Sequence, residues 1–223
     1  MIYLTKDKKK SVTGLIVGVL WLFFIFLAVI FFVFFKDSII ENKEKNKNQN
    51  STLSEEGTDE KYHSDYSYQT NSDLEINALI ADYFEALVNA DGEKLKTLVT
   101  APEEYDNMEV YEQKARVING YTNITCYVMD GYREGEALVY TTMNLSIAGI
   151  ASKPLDINCM YLVKTDTGYL IDNGVLDSET MEYINQQTSS PDIQELYRNV
   201  KENIEECIAN DKDFAEFYNK INN

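Results

Sequence analysis

From Ser11 to Phe35 the chain carries no charged side chain, and most of that stretch is Leu, Ile, Val and Phe. As a helix, Val12–Phe35 would be about 36 Å long, enough to cross a ~30 Å hydrocarbon core with some tilt. A cleaved signal peptide would have an apolar run of roughly 7–15 residues ending at a small-residue site. This run is longer, ends in Phe-Phe-Lys, and has no Cys just after it for lipid attachment. It therefore reads as an uncleaved signal-anchor helix over residues 11–35, the element through which the chain would partner a membrane.

The flanks set the expected orientation. Lys6, Lys8, Lys9 and Lys10 precede the run, while Lys and Glu or Asp alternate after Lys36. A short basic segment is retained in the cytoplasm and a long acidic one is passed across. The expected localisation is the cell membrane, single-pass, with residues 1–10 inside and everything after Phe35 extracytoplasmic. Residues 36–71 read as a polar tether, with Ile39, Ile40 and Leu53 as the only aliphatics, too little apolar surface to offset ordering entropy. The single His, His63, falls there.

Charge is unevenly spread. The whole chain has 20 basic and 37 acidic side chains, net −17. Residues 1–71 hold nine of each, so residues 72–223 carry 11 basic and 28 acidic and the whole imbalance. Such a surface repels phosphate backbones, which excludes nucleic acid as a partner; it favours simple solubility first and a basic partner second. Three Cys and one His exclude a zinc site of ordinary spacing, and no loop matches a calcium site. No metal or cofactor is expected.

Ser72-Asp-Leu-Glu75 has the form of a capping box, opening a helix with Ile76, Leu79, Ile80, Tyr83, Phe84, Leu87 and Val88 at helical spacing. Asn89-Ala-Asp91-Gly92 breaks it, and Glu93–Val99 and residues 104–118 follow as two more helices, the last stopped by Asn119-Gly120. The period then falls to two. Strands are expected over 122–129, 137–147, 155–164 and 169–173, joined by short turns into an antiparallel meander. Asp177 caps a helix over 178–187, Ser190-Pro191 opens another, and Asp211–Ile221 adds a last amphipathic stretch.

The helix EINALIADYFEALVNADGEKLKTLV and the hairpin YLVKTDTGYLIDNG, within this order of elements, resemble the NTF2-like superfamily. The chain is also similar to membrane-anchored, uncharacterised proteins of low-GC Gram-positive bacteria. The resemblance implies an α+β cone, three N-terminal helices packed on a curved antiparallel sheet, over residues 72–176, with residues 177–223 as a C-terminal helical extension. That fold hosts enzymes and binding modules alike, so it does not choose the function.

An enzyme on this fold would project an acid or base into the cone, commonly with a Tyr partner. The strand faces read as inward are Ile124, Cys126 and Val128; Val139, Thr141 and Met143; and Ile157, Cys159, Tyr161 and Val163, none a carboxylate. Asp172, with Tyr83 on the first helix, is the remaining catalytic candidate. Cys126 and Cys159, on different strands, are candidates for a disulfide. Asn123-Ile-Thr125 and Asn144-Leu-Ser146 fit the glycosylation pattern but fall in strands. Tyr127, Tyr132, Tyr140 and Tyr169 are placed on exposed faces, where they could serve binding. The leading expectation is a non-enzymatic binding or assembly module at the cell envelope, joined to a protein partner or to a second copy through its sheet. The alternatives are an isomerase- or hydrolase-type enzyme using the cone, or an extracytoplasmic ligand-binding domain.

Overall fold

The computed structural model describes residues 67–222. The expected membrane span, His63 and nearly all of the tether lie outside the described residues. Among the described residues no helix is long and apolar enough to cross a membrane.

Among the described residues the fold is α+β, a five-stranded antiparallel sheet in the order β1-β2-β3-β4-β5 with six α-helices. The strands are β1 (Gln69–Thr70), β2 (Ile118–Asp130), β3 (Glu136–Ile147), β4 (Leu155–Thr165) and β5 (Gly168–Ile171). The helices are α1 (Leu74–Val88), α2 (Gly92–Lys96), α3 (Glu109–Ala115), α4 (Ser178–Thr188), α5 (Pro191–Asn210) and α6 (Lys212–Asn222). β2 to β5 pair in chain order through short connections, whereas β1 reaches β2 across the N-terminal helices. The last residues assigned to the tether are already structured: Gln69 and Thr70 pair with Val128 and Tyr127.

Apolar residues on the two faces of the sheet build two cores. One face, with Val139, Met143, Met160 and Leu162, packs against Ile76, Ile80 and Phe84 of α1 and Leu95 of α2. The other, with Met129, Leu138, Tyr140 and Tyr161, packs against Ile193 and Leu196 of α5 and Tyr183 and Ile184 of α4. Tyr140, expected on an exposed face, is fully buried there, its hydroxyl 2.6 Å from that of Thr188. Arg133, in the β2–β3 turn, donates to Thr180 and Asp177 at 2.8 Å each and fastens the start of α4 to the sheet.

Two N-terminal expectations are corrected. Asp73, not Ser72, caps α1: its Oδ1 accepts from the Glu75 and Ile76 amides at 2.9 and 3.1 Å. A carboxylate one residue nearer the helix outcompetes the hydroxyl. Glu75 is thereby free to reach across and accept from the Tyr169 amide at 3.2 Å, passing so close to Gly168 (φ 129°) that a Cβ there would collide with it. The helix expected over 104–118 is a 3₁₀ turn, Pro102–Tyr105, followed by α3, which restarts where Asn107 accepts from the Glu109 amide at 3.1 Å. It ends at Ala115 because Ile118 already pairs with Ile147 in the sheet, and Asn119-Gly120 forms a strand irregularity in place of a helix stop.

The cap assignment is testable. Asp73→Ala is expected to cost about 1 kcal/mol in a denaturant titration and Ser72→Ala only a few tenths; equal losses would restore the capping box.

Candidate functional site

The residues first singled out are not joined. Asp172 accepts from the Thr100 hydroxyl at 2.6 Å and the Gly174 amide at 3.3 Å, and Asn173 exchanges two hydrogen bonds with the Ala101 backbone at 2.8 and 3.0 Å. These contacts fasten the end of β5 to the segment after α2. The Tyr83 hydroxyl lies 3.2 Å from that of Tyr105, and no hydrogen bond links Tyr83 to Asp172 among the described residues.

The inward face of β4 is the opposite of the expected one. Ile157 and Tyr161 belong to the core under α4 and α5, while Met160 and Leu162 belong to the core under α1 and α2. Register makes the reason plain: Met143 pairs with Asp156, Thr141 with Asn158 and Val139 with Met160, and paired residues share a face. Asp156 and Asn158 therefore stand on the α1 face. The same register separates the cysteines. Cys126 pairs with Thr141 on the α1 face, Cys159 pairs with Tyr140 on the other, and β3 runs between them. Strands two apart are about 10 Å away, beyond disulfide reach, and both thiols are free. Burial raises the Cys126 thiol; it pushes Cys159 up to about 11, although that residue as a whole keeps solvent exposure.

A β-bulge brings Tyr121 to the same face. Thr122 pairs with Asn144 and Thr125 with Thr142, so three steps along β2 oppose two along β3. The extra residue is accommodated by Asn123 in the left-handed region (φ 54°), its Nδ2 donating to Asn144 Oδ1 at 3.0 Å. Without it, Tyr121 and Ile124, three residues apart, would face opposite ways; both lie in the α1 core.

The result is a polar cluster inside an apolar layer. Burial raises the Asp156 carboxyl, against the opposing pull of the Ile157 amide and the Asn158 side chain. The Tyr121 phenol is pushed up to about 12 by burial first, then by Asp156 and by Tyr83. Tyr83, Tyr105 and Tyr111 are raised as well, each mainly by burial. Lys114 lies 5.8 Å from the centre of the Tyr111 ring and is lowered by burial. The phenols therefore keep their protons at neutral pH, and the Asp156 carboxyl is held above the ordinary carboxylate range. The Thr141 hydroxyl is fully buried on this face beside the Cys126 thiol, with which it pairs across the strands.

Beside the cluster, between α1 and β2, is a cleft of about 200 Å³. Ala81, Phe84 and Val88 line one wall, Tyr121 and Ile124 the other, with Glu85 and Asn89 at the rim. Phe84 packs on Tyr121 with ring centroids 4.8 Å apart and on Tyr83 at 5.7 Å, so these rings separate the cleft from the other phenols. A second hollow, about 310 Å³, lies near β1 and is lined by Asp73, Asp130 and Glu136. Asp73 is spent on its cap, and Glu136 accepts from the Arg133 amide at 2.9 Å and from the Tyr161 hydroxyl. Among the described residues no group of three or more His, Cys, Asp and Glu is placed to hold a metal ion.

No protein-family model matches this chain, and no curated protein matches it. Its structure is similar to that of a protein of unknown function from Mycobacterium tuberculosis, with 18% sequence identity over 57% of this chain and 85% of that one and a TM-score of 0.34. A likeness of that size carries no argument about fold family or activity.

The raised Asp156 carboxyl has a stability consequence. With its folded-state pKa above the ordinary carboxylate value, the native state holds a proton that the unfolded chain releases, so this group's contribution is lost as pH rises through the raised value. Asp156→Asn is expected to match the parent at acid pH and to be more stable at pH 7 in parallel thermal melts. A variant less stable than the parent at pH 7 would contradict the assignment.

Proposed function

We propose that the chain is a single-pass envelope protein, anchored through residues 11–35, whose described domain is an NTF2-like cone acting as a non-enzymatic binding module. The α1/β2 cleft is its ligand site. The observation that carries the reading is Asp156 beside Tyr121, a carboxyl raised by burial next to a phenol that lines the cleft. Polar groups in an apolar interior cost stability unless they are paired, and their retention beside a cleft is what ligand recognition requires.

Binding is favoured over catalysis by what surrounds the acid. Proton transfer through a full cycle needs a group that takes a proton as well as one that gives it. The α1-face positions of β2, β3 and β4 from Tyr121 to Leu162 contribute two carboxyls, Asp156 and the exposed Asp130 opposite Ala137 at the far end of β2, and the neighbouring phenols are too weakly acidic to serve as bases near neutral pH. Asp172 is committed to Thr100 and Gly174. Pairing through an open sheet face is disfavoured, because α1 and α2 cover one face and α4 and α5 the other. A second reading, a general acid acting on a small molecule in the cleft, draws on the same raised carboxyl and requires a turnover abolished by Asp156→Asn.

Two measurements on the full chain test the proposal. Protease added to intact cells is expected to remove residues after the anchor; protection until lysis would overturn the envelope assignment. Native mass spectrometry of chain extracted in mild detergent is expected to show a bound small molecule that is absent from Ala81→Trp, which fills the cleft. An adduct surviving that substitution, or none in the parent, would overturn the cleft as ligand site.

A further inference from the structure

We infer that the cleft selects an uncharged, part-apolar molecule that ends in a carbonyl or hydroxyl oxygen, which Tyr121 reads as a hydrogen-bond acceptor. This rests on the cleft being the ligand site and adds the chemical class it takes.

Two opposed influences act on a ligand there. The domain as a whole is strongly acidic, and its field draws cations toward the surface. The cleft itself offers a different chemistry. Its walls are the hydrocarbon of Ala81, Val88 and Ile124 and the rings of Phe84 and Tyr121. An ammonium group entering such walls would shed its water without gaining a buried carboxylate, because the lining holds none apart from Glu85 at the exposed rim. Glu85 stands at the exposed rim, within the field of Lys94, whose ammonium is 2.6 Å from Asp82. An exposed, part-balanced charge of that kind is well screened.

An anionic ligand fares no better. Lys114, with its ammonium 5.8 Å from the Tyr111 ring, does not line the cleft, and no other cation does. What remains in the walls is the Tyr121 phenol, which keeps its proton at neutral pH. A neutral acceptor oxygen matches this phenol without bringing an uncompensated charge inside. A volume of about 200 Å³ has room for a single small ring or a short branched chain.

The test compares three probes of one size with the full chain in nanodiscs by ligand-observed NMR titration: acetophenone (neutral carbonyl), benzylamine (cation) and benzoate (anion). Acetophenone is expected to bind at least about tenfold more tightly than either ion, and Tyr121→Phe to weaken it about tenfold. Ala81→Trp, which leaves the interior untouched, is expected to abolish binding. Tighter binding of benzylamine or benzoate, lost in Ala81→Trp, would overturn the chemical class and leave the cleft as a site. No binding by any probe at millimolar concentration would overturn the cleft as a ligand site as well. Acetophenone binding that survives both substitutions would mark an adventitious contact and overturn the proposal.

Discussion

Everything described in this domain is built on β3, a strand sealed on both sides. Leu138, Val139, Tyr140 and Thr141 are fully buried in succession, so alternate side chains feed two separate cores. A strand in that position cannot slip by one residue without exchanging the contents of both cores. Its pairing with β2 and β4 therefore fixes which residues meet α1 and α2 and which meet α4 and α5. Asp156 owes its place on the α1 face to nothing more than standing opposite Met143.

The same two-sidedness explains what could and could not be read from the residues alone. The strands of the meander are visible as a change of period from 3.6 to 2, and α4 and α5 are announced by Asp177 and Ser190-Pro191; the observed elements agree to within a few residues. The face of β4 is not visible in that way. Ile157, Cys159, Tyr161 and Val163 are the more apolar set, and a sheet with one core would turn them inward. With helices on both sides, apolarity no longer marks one face, and only the register with β3 decides. Asp156 was hidden for that reason, and so was the impossibility of a Cys126–Cys159 bridge. The bulge at Asn123 is a second illegible feature. It shifts Tyr121 to the α1 face by a single extra residue, and its one local sign is an Asn, a residue that tolerates the left-handed region.

Two electrostatic regimes result. Outside, the carboxylates are exposed, many spent on caps or on ion pairs such as Lys94–Asp82 and Arg133–Asp177. Inside, between the sheet and α1, phenols and one carboxyl occupy a layer where charge is costly, and the pKa of each is raised. A cleft with a phenol in its wall and a carboxylate only at its exposed rim, within an acidic domain, separates what the surface attracts from what the interior accepts.

The central claim is that desolvation under α1 holds the half-buried Asp156 carboxyl above the ordinary carboxylate range, and NMR of its side-chain carboxyl carbon, followed through a pH titration of the full chain, tests it most directly. The account predicts that this carbon titrates above the range of the exposed Asp residues, with the nearby Tyr121 ring signals moving at the same pH. A carboxyl that loses its proton together with the surface aspartates, leaving Tyr121 unaffected, would contradict it.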